Sequence, residues 1–210
     1  MKLYGTPPTR ALRAMWVLNE LDIDCEVVTV NMGAGEHLSP AFLAVNPAGK
    51  IPALVDGDVV LTESTAIQLY LAEKYPEKGL IPQALADRAQ MYRWIFFLVT
   101  EIEAPLWRIA LQTRMYAESE RVAQDIPLAT RDCMKMVQVL EGHMQGRGYI
   151  VADRLSVADL TAANILDWAN EVRMLDAAPT LRAYLKRMYA RPKAPPTIAE
   201  GFAAIQAMVN

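Results

Sequence analysis

The chain has 210 residues, of which 53% are apolar and 21% are charged, and this balance excludes a disordered polypeptide. Its formal net charge of -3 argues against a protein that binds nucleic acid or an anionic membrane, because such a protein would carry a basic excess. We therefore expect a globular protein of one or two domains whose partners are small molecules or other proteins.

Cysteine usage and hydropathy narrow the class further. Cys25 and Cys133 are far apart, and only two histidines are available to complete a metal site, so we expect neither a bound metal nor a disulfide framework. The N-terminal residues lack the apolar region of a signal peptide, and no segment approaches the roughly 18 apolar residues of a membrane span. These features favour a cytoplasmic protein with reduced thiols.

Strand and helix patterns alternate at the start of the chain. Residues 2–4 predict a short strand, and the turn at residues 5–9 leads into a helix over residues 10–21, where apolar residues follow helical spacing. Residues 25–30 (CEVVTV) predict a second strand, and Ser39-Pro40 then supplies an N-cap and a first helical residue. This order predicts two parallel strands joined by a helical crossover, followed by a short helix.

A hairpin and a third helix complete the first predicted domain. Residues 52–56 and 59–61 are apolar runs separated by Gly57-Asp58, which is a hairpin signal. The segment from Thr62 to about Lys74 then has the pattern of an amphipathic helix. Residues 1–75 therefore predict an α/β domain of order βαβαββα, with a small mixed sheet covered by helices.

The remaining chain is predicted to be helical. Residues 76–85 contain prolines and a glycine and indicate a linker, and residues 86–210 predict an all-α domain. Its predicted helices cover residues 85–116, 119–145, 156–170, 180–190 and 198–209. The run WIFFLV in the fourth predicted helix of the chain is apolar on every face, so a neighbouring helix or a second subunit should cover it. The sequence SVAD at the third of these helices predicts a structural capping box.

Two threonines occupy the predicted turn between the first strand and the first helix. A hydroxyl group at Thr6 or Thr9 would lie beside a helix N-terminus, where the helix dipole favours anions. Threonine is a poor nucleophile without a base, so donation of a hydrogen bond to a bound thiolate is the more plausible chemistry. The structural alternative is a plain N-cap.

Two further segments could bind a small peptide. Glu63 and Ser64, at the start of the third helix, could hold the ammonium and the carboxylate of an α-amino acid, although such residues are common in any first helical turn. Pro52 lies near the start of a predicted strand. This position suggests either a strand edge that is used for something other than pairing within the sheet, or a cis bond in a tight turn. With a cis bond, the backbone of Ile51 could pair with an extended peptide beside Lys50.

The order of these motifs resembles that of the cytosolic glutathione transferases over nearly the whole chain. The motifs are N-P-x-G-K-I-P-A-L, L-T-E-S-x-A-I and the S-V-A-D cap. The resemblance implies a thioredoxin-like first domain, glutathione as cosubstrate and a homodimer formed through the fourth and fifth helices. It also implies that Ile51, with Pro52, pairs with the cysteinyl backbone of glutathione, while Glu63 and Ser64 hold its γ-glutamyl group.

The segment GEHLSPAFLAVNPAGKIPAL is similar to the theta class, which implies that His37 and Lys50 contact the glycyl carboxylate. Theta-like members carry serine four residues before the arginine of the first helix, and this position is Thr9. Beta-class members, which share the M-K-L-Y start, place cysteine one residue later, where this chain has Arg10. We therefore expect Thr9 to stabilise the glutathione thiolate, with Thr6 as the reserve.

The resemblance implies an enzyme that conjugates glutathione to a small hydrophobic electrophile. The second substrate is expected over Pro8 and the inner side of the fourth predicted helix, where Trp107 and Leu111 are apolar, although packing in the core is the alternative role of both. Two other functions stay open at this point: a glutathione-dependent disulfide reductase and a binding or regulatory protein without turnover.

Overall fold

The computed structural model describes the backbone of residues 1–209 and the side chains of residues 1–207. By its contacts the chain divides into two compact units, one of Met1–Ile81 with the segment that begins at Arg191, the other of Pro82–Ala190. Residues 86–210 are predicted to form the second domain, whereas the segment that begins at Arg191 groups with the first unit. Long-range polar contacts also link this segment to the N-terminal part of the chain, among them Arg191 Nε to Glu20 Oε1 at 2.8 Å.

The first unit contains a four-stranded sheet of order β2-β1-β3-β4. Its strands are β1 (Lys2–Tyr4), β2 (Glu26–Val28), β3 (Ala53–Asp56) and β4 (Val59–Thr62). Strand β1 is parallel to β2 and antiparallel to β3, and β3 and β4 form an antiparallel hairpin. The predicted mixed sheet is therefore confirmed.

Three helices accompany this sheet: α1 (Ala11–Leu21), α2 (Pro40–Leu43) and α3 (Ser64–Lys74). The predicted order βαβαββα is thus confirmed. Ser39 Oγ accepts a hydrogen bond from the amide of Phe42 at 3.2 Å, so the predicted N-cap of α2 is present. Helices α1 and α3 pack against each other, and the buried face of α1 includes Trp16.

The second unit is helical, as predicted. Its helices are α4 (Leu85–Phe97), α5 (Ala104–Ala110), α6 (Asp125–Met144), α7 (Val157–Glu171) and α8 (Pro179–Tyr189), while α9 (Ile198–Val209) belongs to the C-terminal segment of the first unit. The predicted helix over residues 85–116 is one run in which π-helical turns at Leu98–Glu103 and Leu111–Met115 flank α5. Among residues 1–209, no helix is both long enough and apolar enough to cross a membrane.

A buried carboxylate organises the start of α7. Asp159 accepts hydrogen bonds from the amides of Ile150 and Ser156 and from the hydroxyls of Ser156 and Tyr184, each at 2.9 Å. Burial raises the pKa of Asp159, although these four hydrogen bonds favour its charged form. Asp159 thus has the structural role that the SVAD motif predicts, with more donors than a capping box supplies.

Candidate active site

Strand register brings several predicted site residues to one end of the sheet. Tyr4, the last residue of β1, pairs with Ala53, the first residue of β3, and Ala53 pairs with Thr62, the last residue of β4. The turn after Tyr4, the Pro52 that precedes Ala53 and the Glu63 that follows Thr62 therefore all lie at this end. Residues separated by up to about sixty positions in sequence thus become neighbours.

The turn between β1 and α1 is held by its two threonines. The hydroxyl of Thr6 donates to the carbonyl of Val30 at 2.9 Å and accepts from the amide of Val30 at 3.1 Å. The hydroxyl of Thr9 donates to the carbonyl of Thr6 at 2.6 Å and accepts from the amide of Ala11 at 3.2 Å. Thr6 therefore joins the turn to the segment after β2, whereas Thr9 is part-buried beside the N-terminus of α1.

The peptide bond between Ile51 and Pro52 is cis, which confirms the second of the two interpretations of this proline. Both residues precede β3, and neither takes part in the pairing of that strand, whose register begins at Ala53. Pro52 also lies beside the β1–α1 turn, because a Cβ atom placed on Gly5 would be 3.8 Å from the Cβ of Pro52. The backbone of Ile51 is thus outside the ladder at the same end of the sheet as Thr9.

The loop before the cis bond is arranged by Asn46, which is 4% exposed. Its amide nitrogen donates to the carbonyl of Lys50, and its Oδ1 accepts from the amide of Ala48 at 3.1 Å. Gly49 has a φ of 62°, and a Cβ atom there would be 3.3 Å from the carbonyl oxygen of His37. The structure therefore brings His37 and Lys50 into neighbouring segments. Among the described side chains, no group hydrogen-bonds to the buried Nδ1 of His37.

Ser64 is the first residue of α3 and therefore lies at the predicted start of this helix. Its Oγ accepts a hydrogen bond from Arg13 Nη1 at 3.3 Å, and the carbonyl of Arg13 accepts one from Gln68 at 3.2 Å. Arg13 is only 2% exposed, so a buried cation lies directly behind the serine. Glu63 is exposed and has a φ of 64°, a left-handed conformation that is uncommon for a residue other than glycine.

Two contributors to this site were not identified from the sequence. In the sequence, Arg13 only marks the position from which Thr9 is located, yet its guanidinium contacts Ser64 across 51 positions. Asn46 belongs to the quoted motif, but its function in fixing the Lys50 carbonyl was not inferred. A signal existed for Arg13, because an arginine on the apolar face of a helix must find a buried partner.

The residues predicted for the second substrate are divided between the two units. Pro8 lies in the first unit, and its peptide bond with Pro7 is also cis. Trp107 and Leu111 lie in the second unit, where the ring of Trp107 packs edge-to-face on that of Trp168 with centroids 6.4 Å apart. A cavity of about 370 Å³ in the second unit includes neither residue. It is lined by Thr100, Glu101, Ala104, Pro105, Arg108, Asp132, Lys135 and Met136.

The cysteines of the chain are unsuited to nucleophilic chemistry. Cys133 is fully buried, and burial raises the pKa of its thiol to about 12. Burial also raises the pKa of Cys25. Since a reactive thiol needs a lowered pKa, any thiolate used by this protein should come from a bound molecule. In the described part of the chain, His, Cys, Asp and Glu side chains form no group that could hold a metal ion, and independence from metals stays a prediction.

Family comparisons agree with this arrangement. Residues 1–73 match the family model "Glutathione S-transferase, N-terminal domain", and residues 90–192 match "Glutathione S-transferase, C-terminal domain". The chain therefore belongs to the glutathione S-transferase family. The expected theta-like or beta-like class within the family stays a prediction.

Individual relatives resemble the chain over most of its length. The protein named Glutathione S-transferase 3 of Zea mays is 34% identical over 95% of this chain and 93% of its own length. The crystal structure of glutathione transferase F7 from Populus trichocarpa is 28% identical, with a TM-score of 0.82 over 95% of this chain and 98% of that one. A glutathione S-transferase-I structure with bound lactoylglutathione is 30% identical, with a TM-score of 0.78 over 92% of this chain and 95% of that one.

Proposed function

We propose that this protein is a glutathione transferase that activates the glutathione thiol for conjugation to a small hydrophobic electrophile. One observation supports the proposal most strongly: the β1–α1 turn, the cis-proline loop and the N-terminus of α3 converge at one end of the sheet. In the proposed complex, Glu63 and Ser64 bind the γ-glutamyl group, the backbone of Ile51 pairs with the cysteinyl residue, and His37 and Lys50 face the glycyl carboxylate.

Each contact matches a charge or a donor of the tripeptide. The carboxylate of Glu63 complements the γ-glutamyl ammonium, and the N-terminal amides of α3 complement the adjacent carboxylate. Arg13 supports this second contact, because it holds the Ser64 side chain from the buried side at 3.3 Å. The exposed ammonium of Lys50 is suited to the carboxylate at the other end of the tripeptide.

The proposed activation of the thiol requires a hydrogen-bond donor at the sulfur. When glutathione is bound, the hydroxyl of Thr9 turns from the Thr6 carbonyl to the sulfur, beside the N-terminus of α1. Lowering a thiol pKa from about 8.5 to about 7 raises its thiolate fraction at neutral pH from a few per cent to about half. The thiol proton passes to solvent, the sulfur forms a bond to the electrophilic carbon, and the leaving group departs with its electron pair.

Three measurements on the purified protein test this proposal. Titration calorimetry measures glutathione binding, and assays with chlorodinitrobenzene and with a mixed disulfide measure conjugation and reduction. We expect saturable glutathione binding and conjugation that exceeds disulfide reduction. Reduction without conjugation would instead indicate a glutathione-dependent reductase, and binding without either activity would indicate a binding protein. Failure to bind glutathione would contradict every enzymatic interpretation.

We also propose a homodimer as the working form of the protein. The WIFFLV run spans the end of α4 and the start of the π-helical turn after it, and here Trp94 and Ile95 are buried but Phe96 is 65% exposed. A second copy that covers α4 and α6 would remove this aromatic ring from water. In the sequence prediction, α4 is part of the fourth helix and α6 is part of the fifth. A cytoplasmic location likewise stays a prediction.

A further inference from the structure

Thr6 continues the pairing of β1 with β2 through its side chain. The last pair of this parallel ladder is Tyr4 with Val28, and Thr6 and Val30 keep the same separation of 24 positions two residues further on. The Thr6 hydroxyl donates to the Val30 carbonyl at 2.9 Å and accepts from the Val30 amide at 3.1 Å. One hydroxyl group thus pairs with both backbone groups of Val30 beyond the end of the ladder.

The turn that follows Thr6 is closed by a side chain as well. Pro7 and Pro8 have no amide hydrogen, so the backbone of the turn offers no donor before Thr9. The Thr9 hydroxyl instead donates to the Thr6 carbonyl at 2.6 Å. The position of the Thr9 hydroxyl therefore depends on a carbonyl whose own residue is bonded to Val30.

Val30 is a fixed point for this contact. It is only 4% exposed, and the residue after it belongs to a turn that is closed from both sides. The amide of Asn31 donates to Glu36 Oε2 at 2.7 Å, and the carbonyl of Asn31 accepts from the Glu36 amide at 3.1 Å. The side-chain oxygen of Asn31 also accepts from the Ala34 amide at 3.0 Å. Thr6 is thus bonded to a segment whose conformation is already determined.

The two hydroxyls differ in what they would lose by turning to a bound sulfur. If the Thr6 proton left Val30, a carbonyl in a buried residue would lose its donor, and an unpaired buried polar group is costly. If the Thr9 proton turned away, the carbonyl left behind would be that of Thr6, which is only half-buried. The resemblance leaves Thr6 as the reserve donor to the thiolate, but its contacts suit it to another role.

We propose that Thr6 is a positioning residue for thiol activation, because its hydroxyl fixes the carbonyl from which the Thr9 hydroxyl is presented to the sulfur of glutathione. The inference rests on the proposed function, in which Thr9 donates a hydrogen bond to that sulfur. Thr6 itself does not contact the thiolate. Since its effect passes through Thr9, loss of the Thr6 hydroxyl should matter only while the Thr9 hydroxyl is present.

Thr6→Val tests the proposal, because valine keeps the branched shape of threonine and lacks the hydroxyl. The measurement is the pH dependence of kcat/KM for chlorodinitrobenzene at saturating glutathione, on variants whose circular dichroism matches wild type. We expect Thr6→Val to lower this value by about tenfold near neutral pH and to move the lower limb of the profile to higher pH. The loss should shrink at high pH, where the thiol ionises without help, whereas a merely structural defect would lower activity at every pH.

Two variants are the controls for this measurement. Thr6→Ser retains the hydroxyl and should stay within about twofold of wild type, with the lower limb unmoved. Thr113→Val makes the same chemical change in the second unit, where an exposed hydroxyl donates to the Ile109 carbonyl at 2.8 Å. It should likewise leave both quantities unchanged.

A double variant separates positioning from direct donation. When Thr6→Val is added to Thr9→Ala, kcat/KM should change by less than about twofold, because the group that Thr6 positions is already absent. A further loss of about tenfold would show that Thr6 acts on the sulfur itself and would overturn the proposal.

A crystal structure of the wild type with bound glutathione is a test that needs no variant. We expect Thr6 Oγ1 to remain bonded to the Val30 carbonyl and Thr9 Oγ1 to lie within hydrogen-bond reach of the sulfur. Thr6 Oγ1 at the sulfur, or an unmoved lower limb in folded Thr6→Val, would overturn the role of Thr6 alone. A wild type that does not bind glutathione, or that leaves the pKa of its thiol unchanged, would overturn this inference and the proposed function together.

Discussion

At the scale of single residues, the hydroxyl of Thr9 has one proton to donate, and the Thr6 carbonyl accepts it in the structure. If the hydroxyl instead donates its hydrogen bond to the glutathione sulfur in the complex, Thr9→Ala should lower kcat/KM by about a hundredfold, as loss of one positioned donor does elsewhere. Thr9→Ser keeps the donor and should retain most of the activity. The measurement is the pH dependence of conjugation, whose lower limb should move to higher pH in Thr9→Ala. Full activity in Thr9→Ala would remove this residue from the mechanism.

Arg13 should act on glutathione through Ser64. Arg13→Leu preserves much of the apolar volume but removes the donor that holds the Ser64 hydroxyl. We expect glutathione binding to weaken by about tenfold, measured by calorimetry on a variant whose circular dichroism matches wild type. Arg131→Leu is the control, because the Arg131 side chain is 70% exposed. Equal affinities in the two variants would contradict a positioning role for Arg13.

Pro52 and Arg13 differ in how far their roles can be predicted from the sequence. A proline at the head of a strand conflicts with local backbone rules, so the sequence predicts an unusual feature there and leaves an edge and a cis bond as the two alternatives. The contact between Arg13 and Ser64 depends on how α1 and α3 pack, and no local rule encodes that packing. The role of Thr9 stays a prediction from the family motif, and the acceptor of its hydroxyl proton depends on the conformation of the turn.

At the scale of elements, Asp159 holds the start of α7 with four hydrogen bonds. Asp159→Ala should lower the free energy of unfolding by about 4 kcal/mol, because it leaves buried donors without an acceptor. Tyr184→Phe removes one of these donors and should cost about 1 kcal/mol. Urea unfolding measures both values.

Asp176→Ala is the control, because the side chain of Asp176 is 57% exposed. This variant should change the free energy of unfolding by less than about 0.5 kcal/mol. Similar losses in Asp159→Ala and Asp176→Ala would contradict the structural role.

Glu141 of α6 caps the N-terminus of α8 from a neighbouring helix. Its carboxylate accepts from the amides of Thr180 and Leu181 at 2.9 Å each. Burial acts to raise the pKa of Glu141, but the hydrogen bonds from Thr180 and Leu181 together bring it below the ordinary value of 4.5. The stabilisation is therefore complete above pH 4.5 and disappears as the pH falls through the lower folded-state pKa.

Glu141→Gln tests this pH dependence. At neutral pH the variant should be less stable by about 1 kcal/mol, because the amide lacks the charge that favours a helix N-terminus. This difference should shrink as wild type and variant are unfolded in urea from about pH 7 down to about pH 3. A difference that stays constant over this range would show that the charge of Glu141 does not stabilise α8.

The sequence predicts the presence of the helices in the second unit better than their first residues or their internal hydrogen bonding. The predicted run over residues 85–116 is present, but its π-helical turns leave no distinct pattern in the sequence. The predicted helix over residues 119–145 begins only at Asp125, after a short 3₁₀ turn. Both differences lie where backbone hydrogen bonding responds to packing rather than to hydrophobic period.

At the scale of the whole molecule, the order of domains could be predicted because composition changes sharply after the hairpin and α3. The unit to which the segment beginning at Arg191 belongs could not be predicted, because the pattern that predicts α9 is local to that helix. Its unit is decided by contacts that span about 170 positions, such as Arg191 with Glu20. Local periodicity identifies a helix without identifying the surface on which it packs.

In the proposed homodimer, a second copy covers the ring of Phe96, which is 65% exposed on α4. Phe96→Glu places a charge on this part of α4 and should raise the dimer dissociation constant by at least about thirtyfold, as substitution of a central interface aromatic does. Val122→Glu adds the same charge at a residue that is 52% exposed outside the helices, and it should leave the dimer intact. Sedimentation equilibrium measures both constants. A wild type that sediments as a monomer at micromolar concentration, or a Phe96→Glu variant that dimerises as wild type does, would show that α4 does not form the subunit interface.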